Sequence, residues 1–299
     1  MINSISSNFK AIGFMIIFCF CSPFSDAIVR VLSEMGFQPG QVMFVRSIVS
    51  VLLLLPYIIK NKEYKIPKNL WKWYALRSTF FFIAIFSWLS VLGKIPLPQM
   101  YAIGFTSPVL ASLISIIWLK ESLTRKKILG LIGGFIGVLI VIRPGFSDLS
   151  IYNFVPLFCS FNWASAMVIS KKLSSNQSPY QMTVILSGSC ILFASIPTAF
   201  QWITPSIDQW GILIGLGCLV VMIHTFLIRA YKLADLSTLA PFEFMNLVFA
   251  SCIGWVMFDE LIDTWTLFGG IIIFSSALLS TLSKSTQINL NYIRSNAKR

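Results

Sequence analysis

Long apolar stretches of this 299-residue sequence contain ionisable side chains that could do chemistry, among them Asp26, Arg30, Arg46, Arg77, His224, Arg229 and Glu243. A charged side chain at the centre of a membrane helix costs about 2.5–3.5 kcal/mol, so such residues are retained for a function or for a specific partner. Glu243 is the acidic residue of the second half that lies well inside an apolar stretch. It predicts a site for a cation or a proton; the alternative is that Arg229 neutralises it.

The other ionisable residues allow two interpretations each. Asp26 and Arg30 are four residues apart and share one side of a helix. They predict either a local ion pair or a carboxylate that attracts a cation to an outer opening. Arg46 and Arg77 lie about 9 Å deep, which favours ion pairing or gating; the paired N–H donors of an arginine can also bind a substrate carboxylate. The single histidine, His224, predicts a hydrogen-bonded packing residue or a ligand donor.

These side chains must be positioned by membrane-spanning helices. Apolar residues make up 56% of the chain and charged residues 11%, against about 25% charged residues in soluble domains. A helix needs about 20 mostly apolar residues to cross a bilayer. Ten stretches meet this requirement: 9–30, 40–59, 71–92, 97–118, 127–143, 150–170, 180–200, 209–231, 237–258 and 264–283. The sequence therefore predicts an all-α membrane protein with ten transmembrane helices, and it excludes a soluble enzyme.

The basic residues predict the orientation of these helices. Lys and Arg are concentrated in alternate connecting segments, such as 60–72 and 120–127, and in the tail 284–299. Basic loops remain in the cytoplasm, so we expect both termini there. The net charge of +12 is explained by this topology and does not indicate nucleic-acid binding, which needs the charges on one folded face.

The two halves of the chain are related by an internal repeat. Sliding the sequence by 139 residues aligns Glu121 with Glu260 and Gly130 with Gly269. The offset spans five helices, an odd number, so the halves are expected to have opposite orientations. Inverted repeats of this kind place a transporter's substrate site near the middle of the bilayer. In the fifth stretch, the spacing of Gly130, Gly133, Gly134 and Gly137 predicts close packing against another helix.

Several of these segments carry a family resemblance. Residues 106–108, 119–123 and 137–145 resemble the EamA module of the drug/metabolite transporter superfamily, and residues 258–261 and 269–270 form a weaker second copy. The second copy departs from the pattern, because no Pro-Gly follows its last helix. The resemblance implies a secondary transporter that works by alternating access, with two inverted five-helix modules at 9–143 and 150–283, and a basic cytoplasmic tail at 284–299.

At finer grain, residues 44–47 and 76–82 are similar to the S-adenosylmethionine uptake branch of that superfamily. This likeness implies import of S-adenosylmethionine across the bacterial inner membrane, in one version in exchange for S-adenosylhomocysteine. The alternative is a superfamily exporter of amino acids, metabolites or drugs. Neither version needs a cofactor, and the partners expected are the small solute and the lipid bilayer.

The superfamily resemblance also places helices three, four and six around a central cavity. Their aromatic side chains could contact a solute: Trp88, Tyr101, Phe105, Phe161 and Trp163. A sulfonium cation gains about 0.5–2 kcal/mol over an aromatic ring, and a stacked base gains about 1–3 kcal/mol. Asn162 and Asn246 could bind the edge of the adenine. With Asp26, His224 and Glu243, these residues form the expected substrate site; packing in the core or against lipid is the alternative for each.

Other chemistry has little support in the sequence. The six cysteines all lie in apolar stretches and form no CxxC pair, so we expect them to be buried packing residues. A membrane-embedded enzyme would need a cluster of catalytic or metal-binding side chains. With one histidine and few carboxylates within the apolar stretches, the chain offers no such cluster, and we expect no metal and no catalysis.

Overall fold

The computed structural model describes residues 2–63, 66–107, 110–111, 113–114, 125–142, 150–174, 177–233, 242–243, 245–276 and 279. Ten α-helices are present there: α1 (Ile2–Glu34), α2 (Pro39–Lys60), α3 (Trp71–Ser90), α4 (Leu97–Gly104), α5 (Arg125–Ile142), α6 (Val155–Ser174), α7 (Pro179–Phe200), α8 (Ile207–Leu233), α9 (Met245–Phe258) and α10 (Thr264–Ser276). The described part contains no β-strand, so the predicted all-α class is confirmed. Glu121 and the tail 284–299 lie outside the described residues.

The helices follow the apolar stretches because a backbone within hydrocarbon must satisfy its hydrogen bonds internally. Four helical segments are long and apolar enough to cross a bilayer: Phe9–Glu34, Pro39–Lys60, Pro179–Phe200 and Ile207–Leu233. Three shorter apolar helices accompany them, at Ile128–Val141, Met245–Phe258 and Thr264–Ser276. The chain is therefore a multi-pass membrane protein.

Large apolar side chains also cover the outside of the bundle. Leu52, Leu192 and Val256 are exposed on three different helices, as are many other aliphatic and aromatic residues. A water-soluble protein rarely exposes apolar surface on this scale. This surface is suited to contact with lipid.

The packing of the helices repeats between the two halves. Contacts between helices occur in matching pairs: α1 packs against α8 as α6 packs against α3, α1 against α9 as α6 against α4, and α2 against α8 as α7 against α3. The pairs α2–α7 and α4–α9 also pack. The first helix of one half corresponds to the first helix of the other half (α1 to α6), and so on to α5 and α10. When each helix is replaced by its counterpart, every packed pair becomes another packed pair or remains the same pair. The fold is thus two five-helix repeats related by a pseudo-twofold axis, as the 139-residue repeat predicted.

Glycines bring α5 and α10 together. A Cβ added at Gly137 would lie 2.5 Å from Cγ1 of Ile273 and 2.9 Å from the carbonyl oxygen of Gly269. A Cβ at Gly133 would collide with the Ser276 side chain. The two backbones therefore approach too closely for any side chain, which is the packing that the glycine spacing predicted.

Replacing Gly137 with Ala should destabilise this contact between α5 and α10. Overpacking costs about 1–3 kcal/mol, so we expect a lower midpoint of thermal unfolding in detergent. Gly215→Ala is the matched control, because its Cβ would meet no atom within 4 Å and alanine is the better helix former. Equal unfolding midpoints for the two variants would contradict the assigned packing.

Candidate substrate cavity

A cavity of about 150 Å³ lies where α1, α3, α4, α6, α8 and the start of α9 meet. These helices form three pairs under the pseudo-twofold relation: α1 with α6, α3 with α8, and α4 with α9. The cavity therefore lies on the pseudo-symmetry axis, where inverted-repeat transporters bind their solutes. Its walls are formed by Phe18, Ser22, Asp26, Ala84, Ile85, Trp88, Tyr101, Gly104, Phe105, Ser107, Cys159, Ser160, Trp163, Tyr231, Glu243 and Asn246.

The lining includes seven of the ten predicted substrate contacts: Asp26, Trp88, Tyr101, Phe105, Trp163, Glu243 and Asn246. The structure thus brings together residues that are up to 220 positions apart (246 minus 26) in the sequence. It also gives the cavity two carboxylates within a largely aromatic wall. Their contact with a solute remains a prediction.

Asp26 is bound by two neighbouring side chains through one of its carboxylate oxygens. Its Oδ2 atom accepts hydrogen bonds from Trp88 Nε1 at 2.7 Å and from Tyr101 Oη at 2.8 Å. Ser22 Oγ lies 3.2 Å from the same Tyr101 oxygen. The two rings meet edge to face, with centroids 5.4 Å apart. Asp26 therefore fixes the orientation of two aromatic walls of the cavity.

The local ion pair between Asp26 and Arg30 that the sequence allowed does not form. Arg30 Nη1 instead donates to Glu260 Oε1 at 2.5 Å, and Nε lies 3.3 Å from Glu34 Oε1. The guanidinium also lies over the Phe258 ring, 3.9 Å from its centroid. Asp26 is bound by an indole and a phenol instead, and Arg30 joins α1 to the end of α9.

Glu260 is positioned by the way in which α9 ends. Asp259 has a φ of 55°, in the left-handed region, and the Glu260 N–H donates back to the Gly254 carbonyl. The Asp259 N–H also donates to the Trp255 carbonyl, which is the αL pattern of helix termination. The turn directs Glu260 Oε2 to the N–H of Leu97, at 2.8 Å, at the start of α4. One carboxylate thus connects α1, α4 and α9.

Glu243 is less engaged than Asp26. The one hydrogen bond that it accepts from a described residue comes from Tyr231 Oη, at 3.4 Å. Arg229 does not neutralise it, contrary to the alternative that the sequence allowed. The Arg229 guanidinium instead contacts the Tyr180 hydroxyl and lies 6.0 Å from the Phe14 ring centroid. Glu243 therefore lines the cavity with hydrogen-bond capacity that the described residues do not use.

The two predicted asparagines, Asn162 and Asn246, also differ in how far neighbouring residues satisfy their hydrogen bonds. Asn162 is buried outside the cavity lining and donates to the Phe158 carbonyl at 2.9 Å. Asn246 lines the cavity, and its Oδ1 atom is buried without a donor among the described residues. An unpaired buried acceptor costs about 1–3 kcal/mol. Asn246 Oδ1 is therefore unused by the described residues, whereas Asn162 is used within its own helix; contact between Asn246 and a solute remains a prediction.

Two further predicted contacts lie outside the lining. Phe161 is 47% exposed on the outside of α6. His224 is buried behind the wall, where its ring meets the edge of Phe81 at 5.2 Å. Phe81 in turn packs on Trp163, with centroids 5.5 Å apart. The structure thus places His224 among packing residues, and its contact with a solute remains a prediction.

The deep arginines have different surroundings. Arg77 donates from Nε to Ser170 Oγ at 2.7 Å and from Nη1 to the Met182 carbonyl at 3.0 Å, and so joins α3 to α6 and α7. Arg46 is 8% exposed and forms no hydrogen bond or ion pair with any described residue. Arg77 is therefore a structural connector, and a gating role remains a prediction for Arg46.

Sequence reasoning missed nine of the sixteen lining residues, and Phe18, Ser22 and Tyr231 are three of them. Phe18 and Ser22 precede Asp26 at intervals of four, which places all three along one side of α1; that spacing was the available signal. Tyr231 lies near the end of an apolar stretch, where an aromatic residue is typical of the membrane interface. Its hydrogen bond to Glu243 depends on a contact that no spacing reveals. Within the described residues, no group of three or more His, Cys, Asp or Glu side chains is placed to bind a metal.

Known proteins resemble this chain over most of its length. A riboflavin transporter of Vibrio cholerae is 30% identical over 231 residues, which cover 75% of this chain and 76% of that protein. An S-adenosylmethionine uptake transporter of Rickettsia conorii is 24% identical over 290 residues, 97% and 98% of the two chains. The pseudopaline exporter CntI of Pseudomonas aeruginosa is 23% identical over 248 residues, 82% and 87%. Relatives of this fold therefore differ in solute and in direction.

A solved crystal structure shares the same fold. It superposes with a TM-score of 0.65 at 13% identity and covers 93% of this chain and 98% of its own. The model of the EamA-like transporter family matches the sequence twice, over residues 9–143 and 151–282. The two matches correspond to the two halves that the helix packing relates by pseudo-symmetry. The chain belongs to the EamA-like transporter family.

Proposed function

We propose that this transporter imports S-adenosylmethionine into the bacterial cell by alternating access. The observation that carries the proposal is the under-coordinated carboxylate of Glu243 in a cavity walled by aromatic rings. S-adenosylmethionine has a sulfonium, an ammonium, a carboxylate and an adenine, with a net charge near +1. The carboxylate suits its positive charge, and the rings suit both the sulfonium and the base. The rickettsial relatives named for this solute support the proposal, because they match nearly the whole chain.

The two carboxylates have different roles in this proposal. Glu243 is the counter-charge of the solute, because Tyr231 is its single donor among the described residues. Asp26 is a positioning residue, because its bonds to Trp88 and Tyr101 fix the orientation of the aromatic walls. The solute therefore meets rigid rings on one side and an available carboxylate on the other.

The charge of the solute provides a driving force. A net charge of +1 moving alone into a cell gains about 2.3 kcal/mol for each 100 mV of inside-negative potential. Exchange for neutral S-adenosylhomocysteine would retain that gain. Exchange for another ion of charge +1 would cancel it.

Riboflavin is the second candidate solute. The Vibrio cholerae relative supports it, and the aromatic walls suit a flavin ring as well as an adenine. Riboflavin is uncharged, however, and would leave Glu243 buried without a cationic partner. Export is the alternative direction, supported by the pseudopaline exporter among the relatives.

The proposed setting is the bacterial inner membrane, with both termini in the cytoplasm. The concentration of Lys and Arg in alternate connecting segments supports this orientation. The proposed modules are 9–143 and 150–283, followed by the cytoplasmic tail 284–299. A fluorescent protein fused to the C-terminus should mature and emit, whereas a fused periplasmic phosphatase should be inactive; the reverse pattern would contradict this topology.

Uptake into whole cells tests the proposed solute and direction together. Bacterial cells that cannot import S-adenosylmethionine are given this chain, and the initial rate of entry of the radiolabelled solute is measured. We expect saturable uptake that excess S-adenosylhomocysteine inhibits and excess riboflavin does not. Inhibition by riboflavin alone, or no uptake above that of control cells with the protein confirmed in the membrane, would exclude the proposal.

A further inference from the structure

We infer that Glu243 and Asn246 together form a binding site for a primary ammonium group of the solute. In S-adenosylmethionine this is the ammonium of the amino acid unit, so the inference rests on the proposed function and makes it more specific. It assigns the two positive centres of the solute to different parts of the cavity. The ammonium binds to Glu243 and Asn246, and the sulfonium lies against the aromatic rings.

Asn246 provides an acceptor that the protein leaves unused. The residue is 9% exposed and lines the cavity, and its Oδ1 atom has no donor among the described residues. Burying an amide oxygen without a hydrogen bond is unfavourable. An unpaired buried acceptor on a residue that lines a solute cavity indicates that the solute supplies an N–H or O–H donor.

Glu243 provides a second acceptor beside it. The two residues are three positions apart, and both line the same cavity. An ionised carboxylate has about four lone-pair positions, and Tyr231 uses one of them through a long hydrogen bond of 3.4 Å. Among the described residues, the cavity therefore has an amide oxygen and a carboxyl group with free capacity on one wall, and the carboxyl carries a negative charge when it is ionised.

An ammonium fits this pair better than the other groups of the solute. It has three N–H donors, no acceptor and a positive charge. A sulfonium has no hydrogen to donate, so it cannot satisfy Asn246 and is better placed over the rings of Trp88 or Trp163. The edge of adenine has a ring nitrogen acceptor beside its amino donor. That nitrogen would repel the carboxylate of Glu243, so the adenine edge is the less favourable occupant.

Competition against labelled S-adenosylmethionine on the purified transporter tests the inference. Three competitors separate the groups: S-adenosylhomocysteine, its N-acetyl derivative without an ammonium, and S-inosylhomocysteine with a 6-oxo group for the amino group of adenine. On the wild-type protein we expect the N-acetyl derivative to compete about tenfold or more weakly than S-adenosylhomocysteine, as expected for lost hydrogen bonds to a charged group. S-inosylhomocysteine should compete about as well, within roughly threefold, if its altered edge meets no specific partner.

Two variants assign the effect to Asn246. Asn246→Leu removes one of the two acceptors and leaves Glu243 in place, so S-adenosylhomocysteine should lose about tenfold and its preference over the N-acetyl derivative should fall by the same factor. Asn246→Asp retains an acceptor and should retain the preference. Unchanged midpoints of thermal unfolding serve as the control for folding.

Two results would overturn the inference while the proposed function stands. The first is transport of S-adenosylmethionine with equal competition by S-adenosylhomocysteine and its N-acetyl derivative. The second is a preference against S-inosylhomocysteine that Asn246→Leu abolishes, which would assign Asn246 to the adenine. If the wild-type protein binds neither S-adenosylmethionine nor S-adenosylhomocysteine, the proposed function fails as well.

Discussion

Replacing Glu243 with Gln should reduce uptake of S-adenosylmethionine by about 30-fold or more. Removing one partner of a buried, hydrogen-bonded charge pair costs about 2–5 kcal/mol, and glutamine has the same shape without the charge. Its amide oxygen can still accept the hydrogen bond from Tyr231, so we expect the fold to be retained. The measurement is the initial rate of uptake at a solute concentration well below KM, at equal abundance of the two proteins in the membrane.

Glu34→Gln is the matched control for this substitution. Glu34 lies at the end of α1, its side chain is 61% exposed, and its described salt bridge is the surface pair with Arg30. Such pairs contribute about 0–1 kcal/mol, so uptake should remain near that of the wild type. If Glu243→Gln retained most of the uptake, Glu243 would not be the counter-charge of the solute.

Replacing Asp26 with Ala should strongly reduce uptake, whereas replacing it with Asn should largely preserve uptake. Asp26→Ala leaves Trp88 Nε1 and Tyr101 Oη without their common acceptor, and each unpaired buried donor costs about 1–3 kcal/mol. We expect about a tenfold to hundredfold loss of uptake and a lower midpoint of thermal unfolding. Both hydrogen bonds go to a single oxygen atom, so the amide oxygen of Asn can accept them. Asp26→Asn should therefore retain uptake within about fivefold of the wild type.

The comparison of these two variants separates positioning from charge. A positioning residue is rescued by the neutral amide, whereas a residue that binds the cation is not. If Asp26→Asn lost as much uptake as Asp26→Ala while remaining folded, the charge of Asp26 would act on the solute directly. The KM of the Asn variant provides a second readout, because removal of a cation contact raises KM and retention of the aromatic walls does not.

The fold was predictable because one physical requirement determines most of it. Hydrocarbon selects helices from long apolar stretches, and the 139-residue repeat predicted the symmetry of their packing. The ends of the helices were less predictable. α1 begins at Ile2, before its apolar stretch, and continues to Glu34. Polar residues extend a helix beyond the hydrocarbon wherever local contacts permit, and apolar composition does not report this.

The sequence identified seven of the sixteen lining residues of the candidate site, but it did not reveal how the side chains are oriented. Phe161 and Trp163 are two positions apart and therefore about 200° apart around a helix. One is exposed and the other lines the cavity, and the sequence contains no signal that distinguishes them. Asn162 and Asn246 differ for a similar reason, because one amide finds a carbonyl in its own helix.

Ionic partners were the least predictable feature. The spacing of Asp26 and Arg30 favoured a local pair, yet Arg30 pairs with Glu260, which is 230 positions away. Trp88 and Tyr101 provide Asp26 with donors from two other helices. Spacing along one helix therefore gives the set of possible partners, and the packing of helices selects among them.

Equilibrium binding of labelled S-adenosylmethionine to the purified transporter tests the central claim most directly. Wild type, Asp26→Asn and Glu243→Gln are compared at the same protein concentration, with riboflavin as a second ligand. We expect saturable binding to the wild type and to Asp26→Asn, with binding to Glu243→Gln weaker by about 30-fold or more, and none of riboflavin. Equal binding to all three proteins, or binding of riboflavin in place of S-adenosylmethionine, would contradict a cation site at Glu243.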